Sequence, residues 1–391
     1  MLYPVEPVIY IFFLIFTGTA LLSTLALVTR QSLLVAYIVL GAILGPWGLK
    51  LINDIAVIKE TGNIGILFLL FLLGLHLHPQ NLLHSLRKMS WVTFISSLIF
   101  LILGFGIGRA FGMSLQDSLI VGVSVMFSST IIGLKLLPTT ILHHQYTGEL
   151  VISILLLQDL IAIVALLVVQ GLASQHFSIQ IVGQLVAGLP FLLLVAYVFA
   201  RYVLTPLLYR FDRIQEYIFI LSIGWCLFMT VLSEAIGLPD EIGAFIAGVA
   251  LATNPISLYI AENLKPLRDF FLVMFFFTIG AAFDFSYLHA VIVPASVLAI
   301  VMLIGKPLVF SNLLRHSGEN KKQSWEIGVR LGQTSEFSLL IVSMAALENL
   351  IQPTTLFMVS AATILTFIVS CYWVTMRYPT PLAASDKLRK D

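Results

Sequence analysis

Apolar residues run along this chain in long blocks separated by short polar breaks, with little of the alternation that marks half-buried strands. About thirteen blocks reach or approach the roughly 20 residues that an α-helix needs to cross a bilayer. The predicted spans are 7–29, 32–49, 62–79, 91–112, 116–139, 149–171, 180–205, 216–236, 241–254, 267–285, 289–313, 324–348 and 353–377. The expected fold class is an all-α polytopic membrane protein. No basic segment precedes the first run and no small-residue cleavage site follows it, so it reads as a retained span.

Composition agrees with lipid as the main solvent: 59% of the 391 residues are hydrophobic and 10% are charged. A net charge of +1 gives no global basic field, so no nucleic-acid partner is expected. Cys226 and Cys371 fall inside apolar runs and read as small buried hydrophobes. The positions of the charges say more than their sum. Alternate loops, beginning with the first, hold Arg30, Arg87, Lys88, Lys135, Arg201, Arg210, Arg213, Lys265, Arg268, Arg315, Lys321 and Lys322, and the tail adds four more, whereas the opposite loops hold only Lys50, Lys59 and Arg109. By the positive-inside rule the amino terminus lies outside and the carboxyl terminus in the cytoplasm.

Comparing the chain with itself at a spacing of about 206 residues brings Gly74 onto Gly280, Val121-Gly122-Val123 onto Ile327-Gly328-Val329, and Ser129 onto Ser335. An odd number of spans separates the copies, so the two halves are predicted to be inverted relative to each other, as in many secondary transporters. The alternative is chance matching in a chain rich in Gly, Leu and Phe.

Polar groups inside the apolar runs are the sharper signal, because a charge at a helix centre costs about 2.5 kcal/mol or more. Asp159 lies mid-span in LVISILLLQDLIAIVALLVV, next to Gln158. A carboxylate there suits a group that alternates between a proton and a cation; the alternative is an acid kept protonated to hold two helices together. Gln158 either supplies an oxygen ligand or caps a packing contact. Lys306 stands between Gly305 and Pro307, where an irregular helix is predicted; it either offsets negative charge and carbonyl ends at the site or snorkels to the cytoplasmic surface. MFSSTIIGLK in the fifth span and GVRLGQTSEFSLL in the twelfth are dense in Ser, Thr and Gly, and both are predicted to unwind mid-membrane. Arg330 and Glu336, six positions apart, do not share a face of one helix, so either each has its own partner or the helix breaks between them. His76, His78, His143 and His144 lie at cytoplasmic helix ends without acidic or thiol partners at ligand spacing, so no metal site is expected there.

The pieces GAILGPWGLKL, LFLLFLLGLHLHP, SSTIIGLKLL, ILLLQDLIAI, GAFIAGVALA, FFFTIGAAFDF and GQTSEFSLL, in this order, resemble the Kef-type branch of the monovalent cation:proton antiporter 2 family over residues 7–377. That resemblance implies an inverted-repeat sodium/proton-antiporter fold with two crossing broken helices. It implies that Asp159 carries the cation or proton beside Gln158, that Ser128, Ser129 and Thr130 line one crossover, and that Gln333 and Glu336 line the other. It also implies that Lys306 faces the acidic position, and that the protein is a homodimer whose six-helix core moves as an elevator against a fixed scaffold. Potassium is favoured over sodium by the same resemblance, and the bacterial inner membrane is the expected location. The sequence departs from the branch in carrying His76 and His78 where acids are usual, and in matching the gating loop only in part at 259–266. No Gly-x-Gly-x-x-Gly is present, so neither a nucleotide nor any other cofactor is expected, and residues 1–391 read as one exchanger domain with core and dimerisation parts interleaved and no soluble regulatory domain. Competing functions on the same architecture are transport of another solute such as an organic anion, for which Arg330 is the candidate cation, and a non-transporting sensor or channel. None of these readings is an enzyme.

Overall fold

The computed structural model describes residues 7–29, 31, 33–53, 56–76, 79–136, 146–173, 179–211, 213–238 and 240–380. Among these residues the fold is built from helices: α1 (Pro7–Val28), α2 (Leu33–Leu44), α3 (Ala56–His76), α4 (Pro79–Ala110), α5 (Leu115–Ser124), α6 (Thr130–Lys135), α7 (Tyr146–Ala173) and α8 (Ile179–Phe199). A π-helical turn, Ala200–Leu204, joins α8 to α9 (Thr205–Arg210), and there follow α10 (Gln215–Ala235), α11 (Asp240–Leu251), α12 (Ser257–Ala281), α13 (Leu288–His316), α14 (Lys321–Arg330), α15 (Glu336–Leu347) and α16 (Pro353–Arg377). Among the described residues six helices are long and apolar enough to cross a membrane by length and composition. Of the thirteen runs found by hydropathy, those of α2 and α11 form helices of only 12 residues and two others are broken. It also reads some helices short: α4 begins at Pro79 rather than 91 and α12 at Ser257 rather than 267, since their polar first turns are helical without being apolar. Pro79 suits a first position, where its missing N–H would have no helical partner.

The chain divides into two compact units with interleaved sequence. One comprises Gly41–His84 and Ser174–Ala282. In it α3 packs against α11 and α12, and the α3–α11 crossing depends on facing glycines. A Cβ on Gly74 would fall 2.5 Å from the Phe245 carbonyl oxygen, and one on Gly248 would fall 2.1 Å from that of Phe71. Small residues bring helix backbones together where lipid supplies little drive for association. Trp225 on α10 donates its indole N–H to the Ala247 carbonyl at 3.0 Å, so the large ring is buried with its polar atom satisfied.

The other unit comprises Met1–Leu40, Ser85–Ala173 and Phe283–Asp391, and it holds all nine candidate site residues. Here the fifth and twelfth predicted spans are both interrupted: α5 gives way to α6 across residues 125–129, and α14 to α15 across residues 331–335. The interruptions fall at the 206-residue spacing found in the sequence, and they share their local geometry. Val125 and Leu331, ending the first half-helices, have φ/ψ of −90°/0° and −100°/12°. Ser129 and Ser335 precede the second half-helices, and each accepts a backbone N–H on its hydroxyl, from Ile132 at 3.1 Å and Phe337 at 3.1 Å respectively. Ser, Thr and Gly weaken helix continuation because their side chains compete for backbone partners or leave the backbone freer. The break between Arg330 and Glu336 is one of the two outcomes open from the sequence.

The helix around Lys306 departs from expectation. α13 runs unbroken from Leu288 to His316 with Pro294 and Pro307 inside it. Close packing on α14 and the break after it accommodates Pro307: a Cβ on Gly328 would fall 2.7 Å from the Pro307 carbonyl oxygen, and one on Gly332 would fall 3.4 Å from the Pro307 ring. The proline therefore serves as a contact surface for two glycines without interrupting its own helix.

Candidate functional site

Breaking a helix inside an apolar unit releases N–H and C=O groups that must find other partners. Ser128 N donates to Gln158 Oε1 at 3.0 Å, and Gln158 Nε2 returns a bond to Met126 O at 3.2 Å. The Gln158 amide thus binds the first break with both ends. In the second break Thr334 N donates to Thr366 Oγ1 at 3.2 Å, and the Thr334 and Thr366 hydroxyls pair at 2.8 Å. Thr366 lies on α16, which follows the second broken span as α7 follows the first.

The two breaks also bind each other. Ser128 Oγ donates to Leu331 O at 2.8 Å, Ser338 Oγ donates to Ser124 O at 2.5 Å, and Gln333 Nε2 donates to Ser129 O at 3.4 Å. Ser370 Oγ donates to Gln333 Oε1 at 2.9 Å, fixing the other end of that amide to α16. Lys306 completes the arrangement: its fully buried ammonium donates to Phe127 O and to Gln333 O, the latter at 3.1 Å, and lies 3.4 Å from Ser128 Oγ. The ring of Phe100 closes the remaining side, 5.3 Å from Nζ.

Asp159 sits on α7 one residue past Gln158 and is 1% exposed. Its carboxylate oxygens lie 3.1 and 2.9 Å from the Thr130 hydroxyl, which donates to them from the first turn of α6. Glu336, also buried, is in electrostatic reach of Asp159 and takes a 3.4 Å bond from Ser335 Oγ. Among the described residues Lys306 forms no ion pair with Asp159; the resemblance placed it facing that acid, and its hydrogen-bond partners are two backbone carbonyls and the Ser128 hydroxyl. The Asp159 carboxylate and the Thr130 hydroxyl are oxygen ligands of the kind that suits a hard cation or a proton.

A family model described as "Sodium/hydrogen exchanger, transmembrane" matches residues 12–376. The chain belongs to the sodium/hydrogen exchanger family. As members of that family are, it is an integral, multi-pass membrane transporter and no enzyme. Its fold is similar to that of a sodium proton antiporter from Methanocaldococcus jannaschii solved at pH 8, with a TM-score of 0.70 over 93% of this chain and 95% of that one, at 16% identity.

Of the sequence candidates in this exchanger, Asp159, Gln158, Ser128, Ser129, Thr130, Lys306, Gln333 and Glu336 meet around the two breaks. Only Thr130 among the three hydroxyls reaches Asp159; Ser129 caps α6, and Ser128 ties one break to the other. Arg330 stands apart, paired with Glu326 at 2.9 Å. His78, His143 and His144 lie outside the described residues. Thr366, Ser370 and Ser338 escaped the sequence reading. Carrying the repeat into the last span, with two residues inserted, would have set Thr366 against Gln158.

Proposed function

We propose that this chain is a secondary antiporter exchanging a monovalent cation, potassium in preference to sodium, for protons across a bacterial inner membrane, and that it belongs to the Kef-type branch. The observation that carries the reading is Asp159: a buried carboxylate met by the Thr130 hydroxyl, beside two helix interruptions in one compact unit. In this account the protein has thirteen spans in two inverted halves, with its amino terminus outside. Paired hydrogen bonds support the repeat. Phe127 O and Gln333 O share Lys306, and Lys306 sits over Phe100, its own counterpart at the same spacing. Asp117, opening the first broken span, takes a 2.8 Å bond from Thr355 at the start of α16, while its counterpart Gln323 donates to Thr147 at the start of α7 at 3.0 Å.

The coupling follows from charge. Counted together, the buried charges at the two breaks are the carboxylates of Asp159 and Glu336 and the ammonium of Lys306, which leaves one negative charge to be exchanged, assigned here to Asp159. Loaded with a proton or with a monovalent cation the site is neutral, whereas the empty carboxylate carries an uncompensated charge that costs several kcal/mol in lipid. Only loaded forms cross, which makes exchange one-for-one and electroneutral. The unit holding Asp159 is the moving core of an elevator, the other unit its scaffold within a homodimer. An organic-anion substrate would need a buried cation free to face it, and Arg330 and Lys306 are both engaged. Proteoliposomes test the reading: inward potassium, sodium and lithium gradients should each be compared for saturating proton efflux, with no sustained current on a solid-supported membrane. A sustained current that reverses with the gradient and vanishes in Lys306→Gln would replace the electroneutral account with one in which Lys306 releases a second proton.

A further inference from the structure

The guanidinium of Arg330 is buried and joins three stretches of chain. Nε and Nη2 donate to Glu326 Oε1 at 3.0 and 2.9 Å, one turn back on α14. Nη1 donates at 3.0 Å to the carbonyl of Leu136, the residue following α6. Nη2 donates at 3.0 Å to the Pro379 carbonyl, past the end of α16, and the group lies 5.5 Å from the Tyr378 ring. Thr380, next along this strap, has no exposed surface. Lysine presents its donors from a single nitrogen, without the planar fork by which the guanidinium reaches a carboxylate and two carbonyls in different directions.

We infer that Arg330 is a positioning residue for the cation site, and that through it the strap 378–380 sets the affinity of that site. This rests on the reading of Asp159 and Thr130 as the cation site. The connecting element is α6, a helix of 6 residues. Arg330 holds the carbonyl just beyond its last residue, and its first residue, Thr130, donates to Asp159. A helix this short moves as a rigid piece of about 9 Å, so a shift at Leu136 reaches the Thr130 hydroxyl largely undamped. Arg330 also ends α14 immediately before Leu331, whose carbonyl takes the Ser128 hydroxyl, so the same group steadies both breaks. Displacing the strap removes the Pro379 carbonyl and the Tyr378 ring from the guanidinium, and the guanidinium then shifts its remaining bonds, the one to Leu136 included.

The test is a double-mutant cycle on cation affinity, with the full chain in proteoliposomes and initial exchange rates measured over a potassium series at fixed pH. Tyr378→Ala loosens the strap with little risk to folding, and Arg330→Lys keeps the charge and the Glu326 pair while giving up the fork. Each is expected to raise the cation KM about three- to tenfold while kcat changes less than about twofold. In a Thr130→Val background, where the contact with Asp159 is already lost, the same substitutions are expected to add almost nothing. An unchanged KM in Tyr378→Ala, or an equal factor in both backgrounds, would make Arg330 a structural tie only and overturn the inference. If Thr130→Val itself leaves KM unchanged, the cation-site reading falls and this inference falls with it. If Arg330→Lys does not fold, Tyr378→Ala decides alone.

Discussion

Phe127 and Gln333, 206 positions apart, offer their backbone carbonyls to the same ammonium group, that of Lys306. One side chain therefore fastens both helix interruptions, and it does so from a third helix. Removing it leaves two buried carbonyls without their charged donor, at about 1–3 kcal/mol each. Lys306→Met is expected to speed amide hydrogen exchange in the peptides around 125–129 and 331–335 together, by about tenfold or more. Loosening of one segment alone, measured by mass spectrometry, would mean that the two breaks are held independently.

Gln158 and Thr366 hold one break each, so their effects should separate where that of Lys306 does not. Gln158→Leu strips partners from Ser128 N and Met126 O, and Thr366→Val strips them from Thr334 N and the Thr334 hydroxyl. The expected outcome is faster exchange around 125–129 in the first variant and around 331–335 in the second, with a loss of thermal stability in both, since each unsatisfies two buried groups. Equal loosening of both segments in either variant would contradict this.

Thr130 and Ser129 are adjacent hydroxyls with different partners. Thr130→Val removes the donor to Asp159 and is expected to raise the cation KM about five- to tenfold with a smaller change in kcat, as loss of a binding contact does. Ser129→Ala instead removes the cap of α6, at about 1 kcal/mol of stability, and is expected to lower the melting temperature with little change in KM. Concentration series on both variants, alongside thermal melts, distinguish them; a KM rise confined to Ser129→Ala would reverse the assignment.

Much of this was legible in the sequence because lipid makes buried polarity expensive. Asp159 and Lys306 stood out against apolar runs, the Ser- and Thr-rich stretches marked both breaks, and the match of Ser129 with Ser335 anticipated two helix caps that the fold forms alike. What stayed hidden depends on three-dimensional contact. Nothing in the spacing of Arg330 pointed to the Leu136 or Pro379 carbonyls, since backbone acceptors carry no residue signature. Pro307 suggested an irregular helix because its cost is local, whereas the glycines that receive it come from α14 and the break after it. Thr366 and Ser370 sit in a last apolar span as small hydroxyls, and their role is set by the break they serve.

The most direct test of the exchanger account is Asp159→Asn in proteoliposomes, followed with an internal pH dye while an inward potassium or sodium gradient is imposed. The substitution keeps the shape of the side chain and one acceptor for the Thr130 hydroxyl, but it can no longer alternate between a proton and a cation. The account predicts normal expression and dimer formation with cation-driven proton movement lost to background. Cation-driven proton transport retained in that variant would contradict it and remove Asp159 from the mechanism.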